Sequence, residues 1–264
     1  GDSGYFRSVD VNLLRDQQYD NQMPLDVDLE MKKRHAWKAG IGLSTDTGAR
    51  LSGGYANRFI NPSGHQFQTD LQLSPVESEW LTSYSIPGED PHKENFDVGL
   101  SVKHEDTDSY ISDSLSLTAR QKVFHQRWIE TRSLELLYEN FEVSSQNDEA
   151  TLLMPGTQWV YQKMDNPLKV SKGYRFSIGG KAAIEGLLAT SSFAQLTASA
   201  KGIYRFGESG RISVRGELGF SWMENFDDMP TSLRFFAGGD NSVRGYEYES
   251  LGPQDATGNV VGGD

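Results

Sequence analysis

Residues 66–74 read QFQTDLQLS. In an extended chain Phe67, Thr69, Leu71 and Leu73 share one face, and Gln66, Gln68, Asp70, Gln72 and Ser74 share the other. Apolar residues at every second position predict a strand with one dry and one wet face. The pattern recurs on both sides of this stretch. Phe96, Val98, Leu100 and Val102 oppose Asp97, Gly99, Ser101 and Lys103. Further on, Ile212, Val214, Leu218, Phe220 and Trp222 oppose Arg211, Ser213, Arg215, Glu217 and Ser221.

Working outward gives about eleven such segments, near 36–45, 50–59, 65–74, 79–87, 95–105, 109–122, 127–143, 151–163, 174–187, 193–206 and 211–222. Turn-forming residues separate them: Asn61-Pro62-Ser63-Gly64, Pro87-Gly88, Asp106-Thr107-Asp108, Asp165-Asn166-Pro167 and Gly207-Glu208-Ser209-Gly210. No amphipathic helix of convincing length interrupts the series. The prediction is an antiparallel all-β sheet joined by hairpins.

A soluble sandwich and a membrane barrel both fit such a series. Sandwich strands run about 5–6 residues, whereas a tilted spanning strand needs about 9–11, and most of these segments reach that length. Tyr55, Phe59, Trp80, Tyr84, Trp128 and Trp222 lie near segment ends on the apolar face, as an interfacial girdle would place them. The other face carries Arg50, Arg58, Asp70, Lys103, Arg120, Glu135, Glu139, Arg175, Lys181, Glu185, Lys201, Arg205, Arg211, Arg215 and Glu217. A dry core could not solvate so many charges, so this face is expected to meet water and the apolar face lipid. The predicted fold is an all-β transmembrane antiparallel barrel.

Composition agrees with that reading without proving it. Mean hydropathy is −0.56, and no stretch approaches the roughly 20 apolar residues of a spanning helix. A barrel gives the same average, since only alternate residues face lipid. The formal charge of −12 argues against a nucleic-acid surface. The absence of cysteine rules out disulfides and thiolate chemistry.

Residues 1–34 stand apart. Tyr5–Val11 and Leu25–Met31 alternate like short strands, joined by a polar stretch containing Asp16, Asp20 and Asn21. Two strands this short cannot bury a core alone, so they are expected to close a small α+β domain. Gly1–Gly4 has neither the basic end nor the apolar core of a signal peptide. Val260–Asp264 stops without a closing element, and the chain is expected to be a piece of a longer protein.

No reaction is specified. There is no P-loop, no GxGxxG after a strand and no HExxH. Gly42-Leu43-Ser44-Thr45-Asp46 lacks the closing glycine of a nucleophile elbow. His35, His65, His92, His104 and His125 are scattered without metal-ligand spacing, and Asp106-Thr107-Asp108 reads as a turn rather than a calcium loop. The expectation is a protein that is not an enzyme and carries no cofactor or metal.

Two stretches call for more than a strand assignment. Gly40 and Gly42 fall on one face of the first long strand. They either relieve crowding where a barrel curves or leave a poorly held edge. Residues 234–253, RFFAGGDNSVRGYEYESLGP, are dense in glycine and aromatics and lack strand periodicity. A long irregular loop of this kind is usually functional or disordered, and disordered tracts are poor in aromatics. The loop is expected to fold back into a cavity, with Arg244 seeking an acidic partner. Composition alone also allows an exposed surface loop.

The run GIGLSTDTGARL at Gly40–Leu51, the Met154-Pro155-Gly156 segment and the 234–253 tract resemble the TamA family within the BamA/TamA outer-membrane barrel assembly superfamily. The resemblance covers nearly the whole chain and includes the superfamily's VRGY/F tetrad at Val243, Arg244, Gly245 and Tyr246. It implies that residues 1–34 end the last POTRA domain, a periplasmic docking module. Residues 35–264 would supply about eleven of sixteen barrel strands, with the sixth extracellular loop at about 223–264. The loop would dip into the lumen, Arg244 bonding acidic residues of late strands beyond the chain, Gly245 allowing a tight backbone and Tyr246 packing inside. Arg234, Phe235, Phe236, Gly238 and Gly239 would support it. The strand carrying Trp37, Lys38, Gly40, Ile41, Gly42 and Ser44 would form one side of a seam.

The function the resemblance implies is insertion and folding of other β-barrels, autotransporters among them, in the bacterial outer membrane. Implied partners are a TamB-like inner-membrane-anchored protein, unfolded outer-membrane clients and outer-membrane lipid, with no nucleic acid. A polypeptide-conducting pore of two-partner secretion type and a passive surface-antigen barrel are the competing readings.

Overall fold

The computed structural model describes residues 6–13, 25–45, 47–144, 146–166, 169–207, 210–240 and 242–263. Tyr5, the connector around Asp16, Asp20 and Asn21, and parts of two predicted turns (Pro167; Glu208 and Ser209) lie outside the described residues, as do Asp46, Asn241 and Asp264.

Strands β1 (Phe6–Leu13) and β2 (Leu25–Met31) form a separate antiparallel pair, with Val9 opposite Leu29 and Val11 opposite Val27. Every residue of β2 is exposed. Among the described residues no helix accompanies this pair, so the helical half of the predicted α+β domain has no counterpart there.

The remaining strands make one sheet in simple chain order: β3 (His35–Ser44), β4 (Gly48–Asn57), β5 (Gln66–Leu73), β6 (Glu77–Pro87), β7 (Glu94–Asp106), β8 (Tyr110–Phe124), β9 (Trp128–Val143), β10 (Gln146–Met164), β11 (Lys172–Ala183), β12 (Phe193–Phe206) and β13 (Gly210–Met223). Each is antiparallel to its neighbours. All eleven predicted segments are strands, and the largest shifts have local causes. β10 begins at Gln146 rather than 151 because Asn147–Ala150 continue the ladder with β9 (Glu139–Glu142). β11 stops at Ala183 rather than 187 because Ile184–Ala189 turn back, with Gly186 N–H donating to Ala189 O at 3.1 Å. Pro155 falls just past the last β10–β11 pair, Gly156 with Lys181, where no ladder partner waits for an N–H on that side.

Register sorts the faces as the alternation predicts. Trp37 lies opposite Tyr55, Tyr55 diagonal to Phe67 and Phe67 opposite Tyr84 across β3–β6; Leu51 lies opposite Leu73, Leu73 diagonal to Trp80 and Trp80 opposite Val102. This apolar face stands open: Ile41 is 88% exposed and Leu218 79%, while Glu139 on the opposite face is 0% exposed. Apolar outside and charged inside is the reverse of a soluble domain, and it is the arrangement a lipid solvent stabilises. Near the end where β2 joins β3, rings line up as a belt: Trp37–Tyr55 at 4.5 Å, Tyr55–Phe67 at 6.3 Å, Trp128–Tyr161 at 4.8 Å and Tyr161–Tyr174 at 5.9 Å between centroids.

The inner face has two zones. One is polar: Lys38 of β3 reaches Asp70 of β5 over Gly54 of β4 (3.4 Å), and Lys122 of β8 pairs with Asp97 of the neighbouring β7 (2.8 Å). The other, at the far end of β8–β12, is apolar: Leu137, Phe141, Val143, Leu152, Met154, Ala183 and Phe193 are all buried. The expectation that the whole charged face meets water is therefore corrected. Glu139 sits in the apolar zone and is sealed from solvent by the segment after β13. Arg58 is not an inner-wall charge either; it lies just past β4, and its guanidinium donates to Lys33 O at 3.2 Å.

Candidate functional site

The chain after β13 runs back across the inner face. Its first turn, a 3-10 helix at Phe226–Asp228, is capped by the Asn225 side chain, which accepts the Asp227 N–H. A second 3-10 turn, Thr231–Leu233, brings Met229 and Leu233 onto Leu137, Leu152, Met154 and Phe193. The inner wall is apolar at this height because this turn covers it.

Glu139 fixes that contact. Its carboxylate accepts from Ser112 Oγ (3.0 Å), Thr231 Oγ1 (2.6 Å), Ser232 N (3.2 Å) and Ser232 Oγ. A buried carboxylate is tolerable only when its oxygens are satisfied in this way. Gln195 adds a second tie, donating to Leu233 O at 2.7 Å.

Arg234 is the loop's buried cation, 6% exposed. It donates from Nε to Met229 O (2.8 Å), from Nη1 to Val261 O (2.9 Å) and from Nη2 to Asp227 O (3.0 Å). The planar fork thus holds both the outgoing and returning limbs of the loop, and it lies over Phe226 and Phe141 at 4.8 and 5.7 Å. Burial pulls this guanidinium below its ordinary value, and the charges of Asp227 and Glu139 push it back up.

Beyond Arg234 the limbs pair with each other through Phe235–Gly263, Ala237–Leu251 and Gln254–Val260. Phe235 lies flat on the inner face of β13 at Gly219, where a Cβ would run into its ring. Phe236 packs on Tyr110 at 5.0 Å between centroids and on the Phe141–Val143 cluster. Gly238, at φ +116°, lies against the Glu247 carbonyl, so any side chain there would be both strained and obstructed.

Farther out, Glu249 enters a buried group made by Tyr110 of β8, Lys103 and Glu105 of β7, Glu77 of β6, and Tyr248. Lys103 Nζ is 2.7 Å from Glu105 and 3.9 Å from Glu77, and Ser109 Oγ donates to Glu249 O at 2.9 Å. The Tyr110 hydroxyl meets both Glu249 and Glu105, yet a phenol has a single proton to donate. Burial raises the Glu249 carboxyl above its usual range and Glu105 adds to this, while Tyr110, Lys103 and Tyr248 act the other way. A raised carboxyl favours docking below the ordinary carboxylate range, and that contribution is lost as pH rises through the raised value. Hydrogen exchange at 247–251, corrected for intrinsic rates, is expected to speed up as pH rises above the ordinary carboxylate range, and Glu249→Gln to reduce the change. An identical pH response in the variant would sink the assignment. The returning limb is tied again where Ser144 donates to Asp255 at 2.7 Å, holding that carboxyl well below its usual range.

The tetrad Val243–Tyr246 forms the tip. Gly239 N–H donates to Tyr246 O at 3.0 Å, closing the turn, and Gly245 has φ +92°. Val243 and Tyr246 are 41% and 54% exposed. Arg244 is exposed and donates to Asp240 O at 3.3 Å; it has no acidic partner among the described residues.

Other expected residues are brought together. Gly42 and Ser44 of β3 share a recess with Thr47, Arg50, Gln72, Glu77 and the loop's Asp240 and Tyr248. Gly40 accommodates Ser52, whose Oγ would be 2.7 Å from a Cβ there, whereas nothing lies within 4 Å at Gly42. β3 is paired with β4 along its length, from His35–Asn57 to Ser44–Gly48. One loop that touches β8, β9, β12 and β13 and shares a recess with β3 requires a strongly curled sheet. Flat, these strands would span about 48 Å.

The sequence reading named Glu139 only among wall charges expected to meet water, missed Tyr110 and Glu249, and gave Arg234 a supporting part only. One signal was present. From Leu134 to Val143 both phases of the alternation are apolar, with Leu134, Leu136 and Tyr138 on one and Leu137, Phe141 and Val143 on the other. That pattern belongs to a strand covered on both faces.

Residues 63–264 match the Omp85 superfamily domain. Among solved structures, BamA from Haemophilus ducreyi lacking POTRA domains 1–3 superposes with a TM-score of 0.76 over 96% of this chain and 53% of that one, at 13% identity. CdiB from Acinetobacter baumannii gives 0.55 over 92% and 49%, at 12% identity. The chain spans about half the length of these structures, and at such identities the likeness is one of fold.

Proposed function

The chain belongs to the Omp85 superfamily, and from that premise we propose that it is a TamA-like factor that folds and inserts other β-barrels, autotransporters among them. Superfamily barrels are non-enzymatic assembly and transport proteins of the bacterial outer membrane. The finer reading rests on one observation: the loop seated on the inner wall reaches β3, so that Asp240 and Tyr248 share a recess with Gly42 and Ser44.

In this proposal β3 is the working strand, and Trp37, Lys38, Gly40, Ile41, Gly42 and Ser44 lie along it. The edge not paired with β4 offers its N–H and C=O groups to an incoming client strand by β-augmentation. Unpaired backbone in lipid is expensive, so a templated edge lowers the barrier to insertion. The loop, with Arg244 at its tip, sets the state of that edge. Residues 1–34 are the end of a POTRA domain on the periplasmic side, and a TamB-like protein is the inner-membrane partner.

The test uses the full-length protein with Ile41→Cys and a second cysteine on the strand that closes the barrel. Cross-linking is expected to abolish client insertion into vesicles, and reduction to restore it. Equal activity of the locked protein would refute the seam. A large steady conductance with no effect on clients would favour the polypeptide-conducting pore. Normal autotransporter assembly after gene deletion would favour a passive barrel.

A further inference from the structure

At the end of the sheet where β2 joins β3, the β6–β7 connection lies beside the β8–β9 connection. Phe124 N–H donates to Lys93 O at 2.7 Å, and Gln162 N–H donates to Arg127 O at 3.2 Å. Between them opens a recess lined by His92, Lys93, His125 and Arg127, with Phe124, Trp128 and Tyr161 as its apolar wall.

Cations gather here in a chain of formal charge −12. Arg127 and Lys163 both lie close enough to Tyr161 to act on its hydroxyl. Of the nearby acids, Asp90 pairs with Lys93 at 2.8 Å, Glu94 accepts from Gln121, and Glu130 pairs with Arg132 at 2.9 Å and lies 3.9 Å from His125. Arg127 and the far side of the exposed Lys93 remain directed at solvent.

The height of the recess is set by its aromatics. Trp128 and Tyr161 face outward and belong to the belt that continues through Tyr174, and on the next pair of strands Lys172 sits over Tyr204 at 5.1 Å. Such a belt marks the boundary between hydrocarbon and headgroups. The cations at the connections just beyond it therefore lie in the phosphate layer. Arginine's planar fork matches a phosphate, and each basic residue at an anionic surface contributes about 1 kcal/mol.

We propose that the recess of His92, Lys93, His125 and Arg127 against Trp128 and Tyr161 is a headgroup site for an anionic phospholipid of the adjoining leaflet. The phosphate is held by Arg127 and Lys93, and the acyl chains descend along Trp128 and Tyr161. The site is independent of the loop and of the seam, so it stands or falls apart from the assembly role.

Trp128 reports on it directly. The full-length protein is reconstituted in phosphatidylcholine vesicles containing brominated phosphatidylglycerol or brominated phosphatidylcholine. The Trp128 quenching is the difference between wild type and Trp128→Phe. Phosphatidylglycerol is expected to be preferred at Trp128 by about fivefold or more. Arg127→Gln with Lys93→Gln should bring the preference to near unity, while Arg127→Lys keeps most of it. Both positions are in exposed connections, and retained heat-modifiable gel mobility identifies folded barrels. If the double variant does not fold, Arg127→Gln alone carries the comparison. Equal quenching by the two lipids, or an unchanged preference in the folded variant, would overturn the proposal. So would loss of the preference on adding inorganic phosphate, which would make this a site for soluble anions.

Discussion

Arg234→Ala is expected to free the loop from the inner wall while leaving the eleven-stranded sheet folded. The substitution removes the donors that serve Met229 O, Val261 O and Asp227 O. Hydrogen bonds to a charged group contribute about 1.5–3 kcal/mol each, and a buried carbonyl left without a donor costs about 1–3 kcal/mol. These bonds share one side chain, so their sum is an upper bound and a loss of roughly 4 kcal/mol in docking is expected. Hydrogen exchange at 229–237 measures the opened population directly. Arg234→Lys should recover little, because an ammonium cannot reach three carbonyls held in a planar fork. Arg244→Ala should leave exchange at 229–237 unchanged, because Arg244 is exposed and, among the described residues, its hydrogen bond is to Asp240 O of its own loop. An effect of Arg244→Ala equal to that of Arg234→Ala would show that the anchor has been placed on the wrong arginine.

Glu139→Leu is expected to have an effect of similar size by a different route. Leucine suits the surrounding Leu137, Leu152 and Met154, so the loss comes from the donors left behind. Ser112 and Thr231 would each bury a hydroxyl without a partner, at about 1–3 kcal/mol apiece before relaxation, while the exposed Ser232 turns to water. A double-mutant cycle separates this from general damage. Glu139→Leu paired with the near-isosteric Thr231→Val should show a coupling of about 1–2 kcal/mol. Additive losses would mean that the carboxylate does not hold the turn.

The strands were legible because their signal is local. Alternation at QFQTDLQLS or around Phe96–Lys103 fixes both the element and its face, and neighbouring hairpins leave little choice of partner. The loop was legible as a loop for the opposite reason, since no period fits it. What alternation cannot supply is height. Glu139 has the same phase as Glu135, but Glu139 is buried under Thr231 and Ser232 while Glu135 lines an open recess with Thr131, Ser133 and Lys181. Their difference is made by a segment about ninety residues away in sequence. The two arginines of the 234–253 tract pose the same difficulty. Nothing in the spelling near Arg234 or Arg244 tells which one the returning limb at Val261 will enclose.

The link between β2 and β3 is short and cross-braced. Arg34 reaches Asn57 Oδ1 (3.3 Å) and Ile60 O (3.0 Å), Arg58 reaches Lys33 O (3.2 Å), and Arg58 N–H donates to Arg34 O (2.8 Å). A joint braced on both limbs of a hairpin transmits torque instead of swivelling. Load applied to the N-terminal pair would therefore arrive as a twist on the β3–β4 hairpin.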